Sequence, residues 1–444
     1  MENRFRNSIL FLSAVTLVSA LVLIVFLMRG QKELPPDEWA LRSSSVQRPG
    51  SLRDENRRAQ TFHSAEEGPV KGVAADPLSD PLLEALKSHA AEPNAVANEM
   101  LITFRDKAAQ EAFKKRMAGF GLKLIGSLDA LNALRVGYQD LGRLRDLLGD
   151  FEGGASAEAN LWMQLPQEPR TDPSNEGGTT PFQRGQSMMD AIAAGGDRSQ
   201  WGVGIKVAVL DTGIMNHPTF GETQVTHVDL VKDGQAFHSH GTSVASLIAG
   251  QNPQAPGVAP ATSILDVRVA DPEGFTVSSV LSQGVIEAVD RGAKVLNISF
   301  GGTGDSDVLR AALDYAWKKG AVVVAAAGNE GVDQLAYPAA YEGVLSVGSV
   351  DAKGKQASFS NSGEGLDLVA PGVGVVTAWE TDKVAITSGT SHSTGLVSGS
   401  AAAYLAWGVP SQDVIRLLKS HAKRTGAPSQ RLGAGILNIR ENAR

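Results

Sequence analysis

Hydrophobic residues in the second half of the chain form short, nearly uninterrupted runs between glycine-containing turns. Residues 206–210 and 321–327 have the length of a strand and almost no polar position. Runs of this kind are typical of parallel strands that are covered on both faces. The small-residue segments 240–250 and 397–405 are interpreted as buried helices that pack close to the sheet. The pattern predicts an α/β fold around a mostly parallel central sheet.

A different pattern occupies residues 97–165. Asp106 is placed to cap the first of two helices, whose apolar side chains recur every four residues, and leucines within 141–148 mark the second. Strands are predicted at residues 100–104, 122–125, 133–136 and 157–163. The order strand, helix, strand, strand, helix, strand predicts a small ferredoxin-like α+β domain.

The N-terminus carries a long uncharged segment. Residues 8–28 contain no charged side chain, follow Arg4 and Arg6, and are about as long as a helix that crosses a bilayer. We predict an uncleaved signal anchor that holds the chain in the membrane. A cleaved signal peptide with its site near residues 18–20 is the alternative.

Composition divides the rest of the chain. Residues 29–94 are polar and charged with little periodicity, and residues 166–198 are rich in Pro, Gly, Ser and Thr, which is typical of exposed and cleavable linkers. Short helices are predicted at 80–90 and 188–194. The predicted divisions are a signal anchor at 1–30, a disordered juxtamembrane linker at 31–95, the α+β domain at 96–165, a linker with a maturation site at 166–199, and the large α/β domain at 200–436.

Charge and cysteine content exclude some classes of function. The formal net charge is −7, so the chain has no basic surface of the kind that binds nucleic acid, and no nucleic-acid partner is expected. The chain contains no cysteine, which excludes disulfides, thiol catalysis and cysteine-ligated metal.

Three motifs supply an acid, a base and a nucleophile: Asp211 before Thr-Gly, His240 before Gly-Thr, and Ser391 after Gly-Thr. A serine hydroxyl needs an adjacent imidazole to take its proton, and the imidazole needs a buried carboxylate to orient it. Asp211 falls at the carboxyl end of the predicted strand 206–210, where catalytic groups collect in α/β sheets. We predict that these three residues are catalytic.

A fourth residue completes the predicted chemistry. Asn329 follows the apolar run 321–327, where its side-chain amide can donate a hydrogen bond to the oxyanion of a tetrahedral intermediate. The backbone N–H of Ser391, near the start of a helix, is the second predicted donor.

In the order Asp, His, Ser and in its surrounding motifs, the chain resembles the subtilases, the subtilisin-like serine peptidases. The resemblance runs from about residue 202 to 435. It includes Gly-Val-Ala-Pro at 257–260, Asn-Ile-Ser-Phe-Gly at 297–301, Tyr-Pro-Ala at 337–339, Ser-Phe-Ser-Asn at 358–361 and Ala-Pro-Gly at 370–372. It implies a subtilisin-like sandwich and a serine endopeptidase that cleaves peptide bonds through an acyl-enzyme.

The resemblance also assigns binding surfaces. It implies that the edge formed by Ser299, Phe300 and Gly301 pairs with an extended protein or peptide substrate. It places Ala326, Ala327 and Gly328 on the opposite wall of the first specificity pocket.

A domain directly before such a core looks like a propeptide that assists folding and blocks the active site. On that interpretation residues 96–165 are a partner of the catalytic domain in a zymogen, and an unrelated appended domain is the alternative. Because the family is usually exported, the catalytic domain is expected outside the cytoplasm, on the periplasmic or extracellular side.

The chain departs from the family pattern near the predicted site. The family usually has Met and Pro where this chain has His392 and Gly395, and often His and Gly where it has Ser243 and Ser246. Glycine in a helix's first turn leaves the nucleophile segment less preorganised than proline does. His392 is interpreted as a partly buried structural residue, with tuning of the nucleophile as the alternative. A non-catalytic binding protein with an impaired site is therefore the alternative function.

No cofactor is expected. His238 and His240 invite a metal-binding interpretation, but no matching carboxylate or histidine cluster follows, so no metal site is predicted. We do not predict a calcium site, because the loop at 251–256 is short and contains no carboxylate, and the calcium requirement stays open.

Overall fold

The computed structural model describes residues 80–167, 182, 188–222, 224–427 and 429–440. The predicted signal anchor at 8–28 and most of the two predicted linkers lie outside these residues. Within the described ranges, no helix is both long and apolar enough to cross a membrane.

Residues 80–167 form an antiparallel sheet with helices. The elements are α1 (Pro81–Ala90), β1 (Ala95–Phe104), α2 (Lys107–Met117), β2 (Lys123–Leu128), β3 (Ala133–Gly137), α3 (Leu141–Gly149) and β4 (Ala155–Gln164). The strands are ordered β2-β3-β1-β4, and each neighbouring pair is antiparallel. The Asp106 carboxylate accepts the N–H of Ala109 at 2.9 Å, so the predicted helix cap is confirmed.

Residues 188–440 contain the remaining elements. They are α4 (Met188–Ala191), β5 (Lys206–Asp211), β6 (Val225–Asp229), α5 (Ser239–Ala249), β7 (Ser263–Arg268), β8 (Phe275–Val277), α6 (Ser278–Asp290), β9 (Val295–Ile298), α7 (Asp307–Lys318), β10 (Val322–Ala326), β11 (Leu345–Val350), β12 (Leu368–Pro371), β13 (Val375–Trp379), β14 (Lys383–Thr387), α8 (Thr390–Ala406), α9 (Ser411–His421) and α10 (Ser429–Leu432).

The central sheet has seven strands in the order β12-β11-β10-β9-β5-β7-β6, and all the pairs are parallel. Its strands bury both faces. In β5, Ala208 and Leu210 join the apolar cluster that contains α6 and α7, whereas Val207 and Val209 join the cluster that contains α5, α8 and α9. The prediction of an α/β fold with a parallel sheet is confirmed.

Helices α5 and α8 pack at close range. A Cβ added to Gly395 would lie 3.1 Å from the carbonyl oxygen of Val244 and 3.3 Å from Cβ of Leu247. Helix α8 begins at Thr390, so the predicted position of Ser391 near the helix start is confirmed, and the helix extends N-terminally of the small-residue segment 397–405. Residues 390–395 are small or polar and buried, and a helix buried on all sides shows no amphipathic period at its start.

The antiparallel sheet of residues 80–167 continues into the larger part of the structure, residues 188–440. Strand β4 pairs with β8 in register Trp162↔Val277, Met163↔Thr276 and Gln164↔Phe275, which makes a five-stranded sheet β2-β3-β1-β4-β8. One face carries α1–α3 around Phe113. From the other face, Leu101 and Trp162 join the apolar cluster of α6 and α7.

Candidate active site

The carboxyl end of β5 brings Asp211 to His240 in the first turn of α5. His240 Nδ1 lies 2.8 Å from Asp211 Oδ1 and 3.0 Å from Oδ2. Oδ1 also accepts the N–H of Thr212 at 2.8 Å, and both side chains are buried. A carboxylate acceptor at Nδ1 favours the tautomer with its lone pair on Nε2, which is the tautomer that a general base needs.

Ser391 lies in the first turn of α8, where helix N–H groups have no acceptor within the helix. Its Oγ is buried and forms no hydrogen bond with any residue that the structure describes. The next side chain, His392, places its ring centroid 5.9 Å from that of His240. The neighbour of the predicted nucleophile and the predicted base therefore share one buried region.

Asn329 is held by the start of α8. Its Oδ1 accepts the N–H of Thr390 at 3.0 Å and the Thr390 hydroxyl at 2.8 Å. Because a backbone N–H can only donate, this contact identifies Oδ1 and leaves Nδ2 as the donor. Nδ2 donates to the main-chain carbonyl of Gln167 at 3.0 Å. The side-chain amide that we predicted as the oxyanion donor thus binds a peptide carbonyl.

The segment that leads to Gln167 runs between two backbone edges. Gln164 N–H donates to the Gly301 carbonyl at 3.0 Å, and Gly301 N–H donates back at 2.9 Å. Leu165 N–H donates to the Gly274 carbonyl at 2.9 Å on the other side. The segment that follows β4 therefore pairs with both edges as an added strand, which is a common mode of peptide recognition.

The predicted substrate-binding residues adjoin this segment to different degrees. Gly301 contacts it directly, whereas Ser299 and Phe300 are buried in the core. Ala326 and Ala327 are fully buried, and Gly328 donates its N–H to the Thr390 hydroxyl at 3.3 Å. A Cβ at Gly328 would lie 2.3 Å from Asn361 Nδ2 and 2.6 Å from Glu330 Oε2, so the close approach of these two side chains requires glycine.

The second edge was not predicted as a binding element. A turn that contains Pro272 and Gly274 precedes β8, and Phe275, Thr276 and Val277 have β-branched or aromatic side chains. These features indicate a short strand. They do not indicate which segment pairs with it.

Two side chains of β4 cap helices of the larger part. Glu158 accepts from the Ser306 hydroxyl at 2.7 Å and from the N–H groups of Asp307 and Val308 at 2.8 and 3.2 Å, at the start of α7. Burial raises the pKa of Glu158. Asn160 Oδ1 accepts from the hydroxyl of Ser278 and the N–H of Ser279 at the start of α6.

The buried carboxylate of Asp266 fixes the turn that follows Asp211. Asp266 Oδ2 accepts the Ile214 N–H at 2.9 Å and contacts Nδ1 of the half-exposed His227 at 2.8 Å. Burial raises the pKa of Asp266, and the bond to Asp266 raises the pKa of His227. Sequence reasoning missed this pair, although a carboxyl group inside the apolar strand β7 is a detectable anomaly.

Metal-binding residues do not cluster in the described ranges, where no group of three or more His, Cys, Asp or Glu side chains could hold an ion. His238 is exposed, and its Nδ1 accepts the N–H of His240 at 3.2 Å as the cap of α5.

Comparisons with known proteins agree with this architecture. The family model described as Subtilase family matches residues 202–435. A thermophilic serine proteinase from Bacillus sp. (strain AK1) is 37% identical over 242 residues, which cover 53% of this chain and 60% of that protein. Thermitase from Thermoactinomyces vulgaris is 34% identical over 53% of this chain and 88% of its own length. Subtilisin BL from Lederbergia lenta is 37% identical over 57% of this chain and 96% of its own length.

Proposed function

The chain belongs to the subtilase family and is a subtilisin-like serine peptidase, and on this premise we propose that Ser391, His240 and Asp211 are its catalytic triad. The observation that carries the proposal is the pair of contacts around the site: Asp211 holds His240 Nδ1, and Asn329 Nδ2 holds a peptide carbonyl.

The proposed reaction uses these groups in two steps. Ser391 Oγ attacks the scissile carbonyl while His240 Nε2 takes the hydroxyl proton, and the resulting oxyanion accepts from Asn329 Nδ2 and the Ser391 N–H. The C–N bond then breaks, and His240 returns the proton to the leaving amine. Water hydrolyses the acyl-enzyme by the same proton transfer. Substrates are proteins or peptides whose backbone pairs with the Gly274 and Gly301 edges.

We propose further that the protein is made as a zymogen in which the α+β unit, with its ferredoxin-like order of strands, is the inhibitory propeptide. Three features support this: strand addition at β8, the helix caps from Glu158 and Asn160, and the seat of Gln167. Because the Gln167 carbonyl contacts Asn329, the peptide bond that follows Gln167 is the proposed maturation bond.

Residues 8–28 are proposed to anchor the precursor in the membrane, with the catalytic domain outside the cytoplasm. The proposal predicts that full-length Ser391→Ala protein stays with membranes after a carbonate wash and that deletion of residues 1–30 releases it. Recovery of the full-length variant in the soluble fraction would favour a cleaved signal peptide instead.

One experiment tests catalysis and maturation together. Wild-type and Ser391→Ala proteins are expressed in parallel, treated with a fluorophosphonate, and their N-termini are sequenced. Labelling at Ser391 and a new N-terminus directly after Gln167 in the wild type alone support the proposal. Cleavage of both proteins would mean that another protease performs maturation. An uncut but active wild type would make residues 80–167 a permanent domain.

The alternative is a non-catalytic binding protein with the subtilase fold. The observation in its favour is the Ser391 hydroxyl, which forms no hydrogen bond among the described residues. The same labelling experiment separates the two functions, because a fluorophosphonate reacts only with an activated serine.

A further inference from the structure

Two departures from the family pattern contact each other beside the proposed nucleophile. Ser243 stands where the family often has His, and His392 stands where it usually has Met. In this chain, Ser243 Oγ lies 2.9 Å from His392 Nε2, and both residues are buried. The two residues that depart from the family pattern are therefore joined to each other by a hydrogen bond, with the imidazole on the helix that carries the proposed nucleophile.

The hydrogen bond joins the two helices that carry the reacting groups. Ser243 follows His240 by three residues in α5, which places both side chains on one face of that helix. His392 adjoins Ser391 in α8. The length of this bond therefore limits how far the base and the nucleophile can move apart.

Polar contacts from different elements hold the start of α8. Asn329 holds Thr390 from one side. The N-cap residue Gly389 provides no side-chain cap. Ser393 Oγ donates to the Ala370 carbonyl at 3.0 Å on the side of β12, and the Ser243–His392 bond holds the same turn on the side that faces α5.

The direction of the bond follows from the available protons. Burial, followed by the charge of His240, lowers the pKa of His392 to about 3, so His392 is neutral and has one N–H. If Ser243 donates to Nε2, that N–H lies on Nδ1, and a hydrogen bond to the Gly389 backbone raises the pKa of His392 against the two larger effects. The reverse direction leaves the serine proton without this acceptor and Nδ1 still without a donor. We assign Ser243 as the donor.

We propose that the Ser243–His392 hydrogen bond is a cross-helix positioning bridge that sets the approach of Ser391 to His240. This inference rests on the proposed triad. His392 acts through the position of Ser391, whereas the substrate edges at Gly274 and Gly301 are separate from it. Loss of the bridge should therefore lower kcat and the rate of phosphonylation while KM changes little.

The test uses the full-length chain and four variants. His392→Met cannot accept the serine proton, His392→Gln retains an amide acceptor, and Ser243→Ala removes the donor; the fourth variant combines Ser243→Ala with His392→Met. A displacement of about 1 Å at a reacting group costs as much as 10²-fold, so His392→Met and Ser243→Ala should each lose roughly 10- to 100-fold in kcat. His392→Gln should recover most of the rate, and the double variant should lose no more than the worse single variant.

Each result has a defined meaning. Full activity of His392→Met, equal losses in His392→Met and His392→Gln, or additive losses in the double variant would overturn the bridge. If His392→Met fails to fold, as judged by its melting transition, Ser243→Ala decides the question, because it only deletes a hydroxyl. If fluorophosphonate fails to label the wild type, the proposed function fails, and this result is distinct from failure of the bridge.

Discussion

The two sides of the candidate site are held by different interactions. On the acid side, the Asp211 carboxylate accepts hydrogen bonds from His240 and Thr212, and Asp266 fixes the turn that follows by accepting the Ile214 N–H. On the nucleophile side, Ser391 lies at the start of a closely packed helix, and its Oγ forms no hydrogen bond within the described part of the chain.

The contrast follows from what each group must do. A buried carboxylate without donors would cost several kcal/mol, so the acid side needs hydrogen bonds to exist at all. A buried hydroxyl without a partner costs only about 1–3 kcal/mol, and it remains available for attack. The charge is therefore stabilised by hydrogen bonds to the carboxylate itself, whereas the proposed nucleophile is held through its helix and the hydrogen bonds of neighbouring residues rather than through its own hydroxyl.

The largest expected effect compares the two sides directly. Ser391→Ala should abolish peptide hydrolysis, and Asp211→Asn should lower kcat by about 10⁴-fold, because the asparagine favours the wrong imidazole tautomer. Single-turnover and steady-state kinetics on one peptide substrate measure both. Retention of activity by Ser391→Ala would remove the nucleophile assignment, whatever happens in Asp211→Asn.

The next effect concerns the oxyanion donor. Asn329→Ala should lower kcat by roughly 10²–10³-fold, because one donor to the developing charge is lost. KM should change less, since the Gly274 and Gly301 backbone contacts remain. An equal loss of phosphonylation and of substrate affinity would instead mean that Asn329 mainly holds Thr390 and the start of α8.

Much of the acid side was predictable, because its parts are local in sequence. Asp211 ends an apolar strand, and His240 begins a small-residue helix. The nucleophile side was less predictable. The start of α8 has no amphipathic period, and the contact of Ser243 with His392 joins residues 149 positions apart. The pair of His227 and Asp266 and the helix caps from Glu158 and Asn160 also depend on register and docking, which local patterns do not encode.

Packing on the nucleophile side can be tested through stability. Gly395→Ala should destabilise the fold by about 1–3 kcal/mol, because the new methyl group meets the Val244 backbone at 3.1 Å. Gly149→Ala is the matched control, since no atom lies within 4 Å of its added Cβ and alanine favours a helix. Urea unfolding in the Ser391→Ala background measures both. Equal stability of the two variants would contradict the packing argument.

The smallest expected effect concerns the support of the acid side and depends on pH. The hydrogen bond to Asp266 raises the folded-state pKa of His227, so the folded chain holds the imidazole proton more tightly than the unfolded chain. This stabilisation is fully present below the ordinary histidine pKa of about 6.5 and is lost as pH rises through the folded value. Because His227 is half-exposed, we expect less than about 1 kcal/mol.

His227→Gln should therefore flatten the decline in unfolding free energy between pH 6 and pH 9, measured in the Ser391→Ala background. Parallel pH profiles for the two proteins would show that this pair contributes no pH-dependent stability.

The seat of the Gln167 carbonyl on Asn329 has a kinetic consequence for the proposed maturation. Bond and nucleophile belong to one molecule, so every precursor carries its first substrate at a fixed, high effective concentration. Conversion should then follow first-order kinetics, with a half-time that does not change on dilution and a time course without a lag. Newly matured molecules need not meet the remaining precursors, and even a dilute population would mature at the same pace as a crowded one.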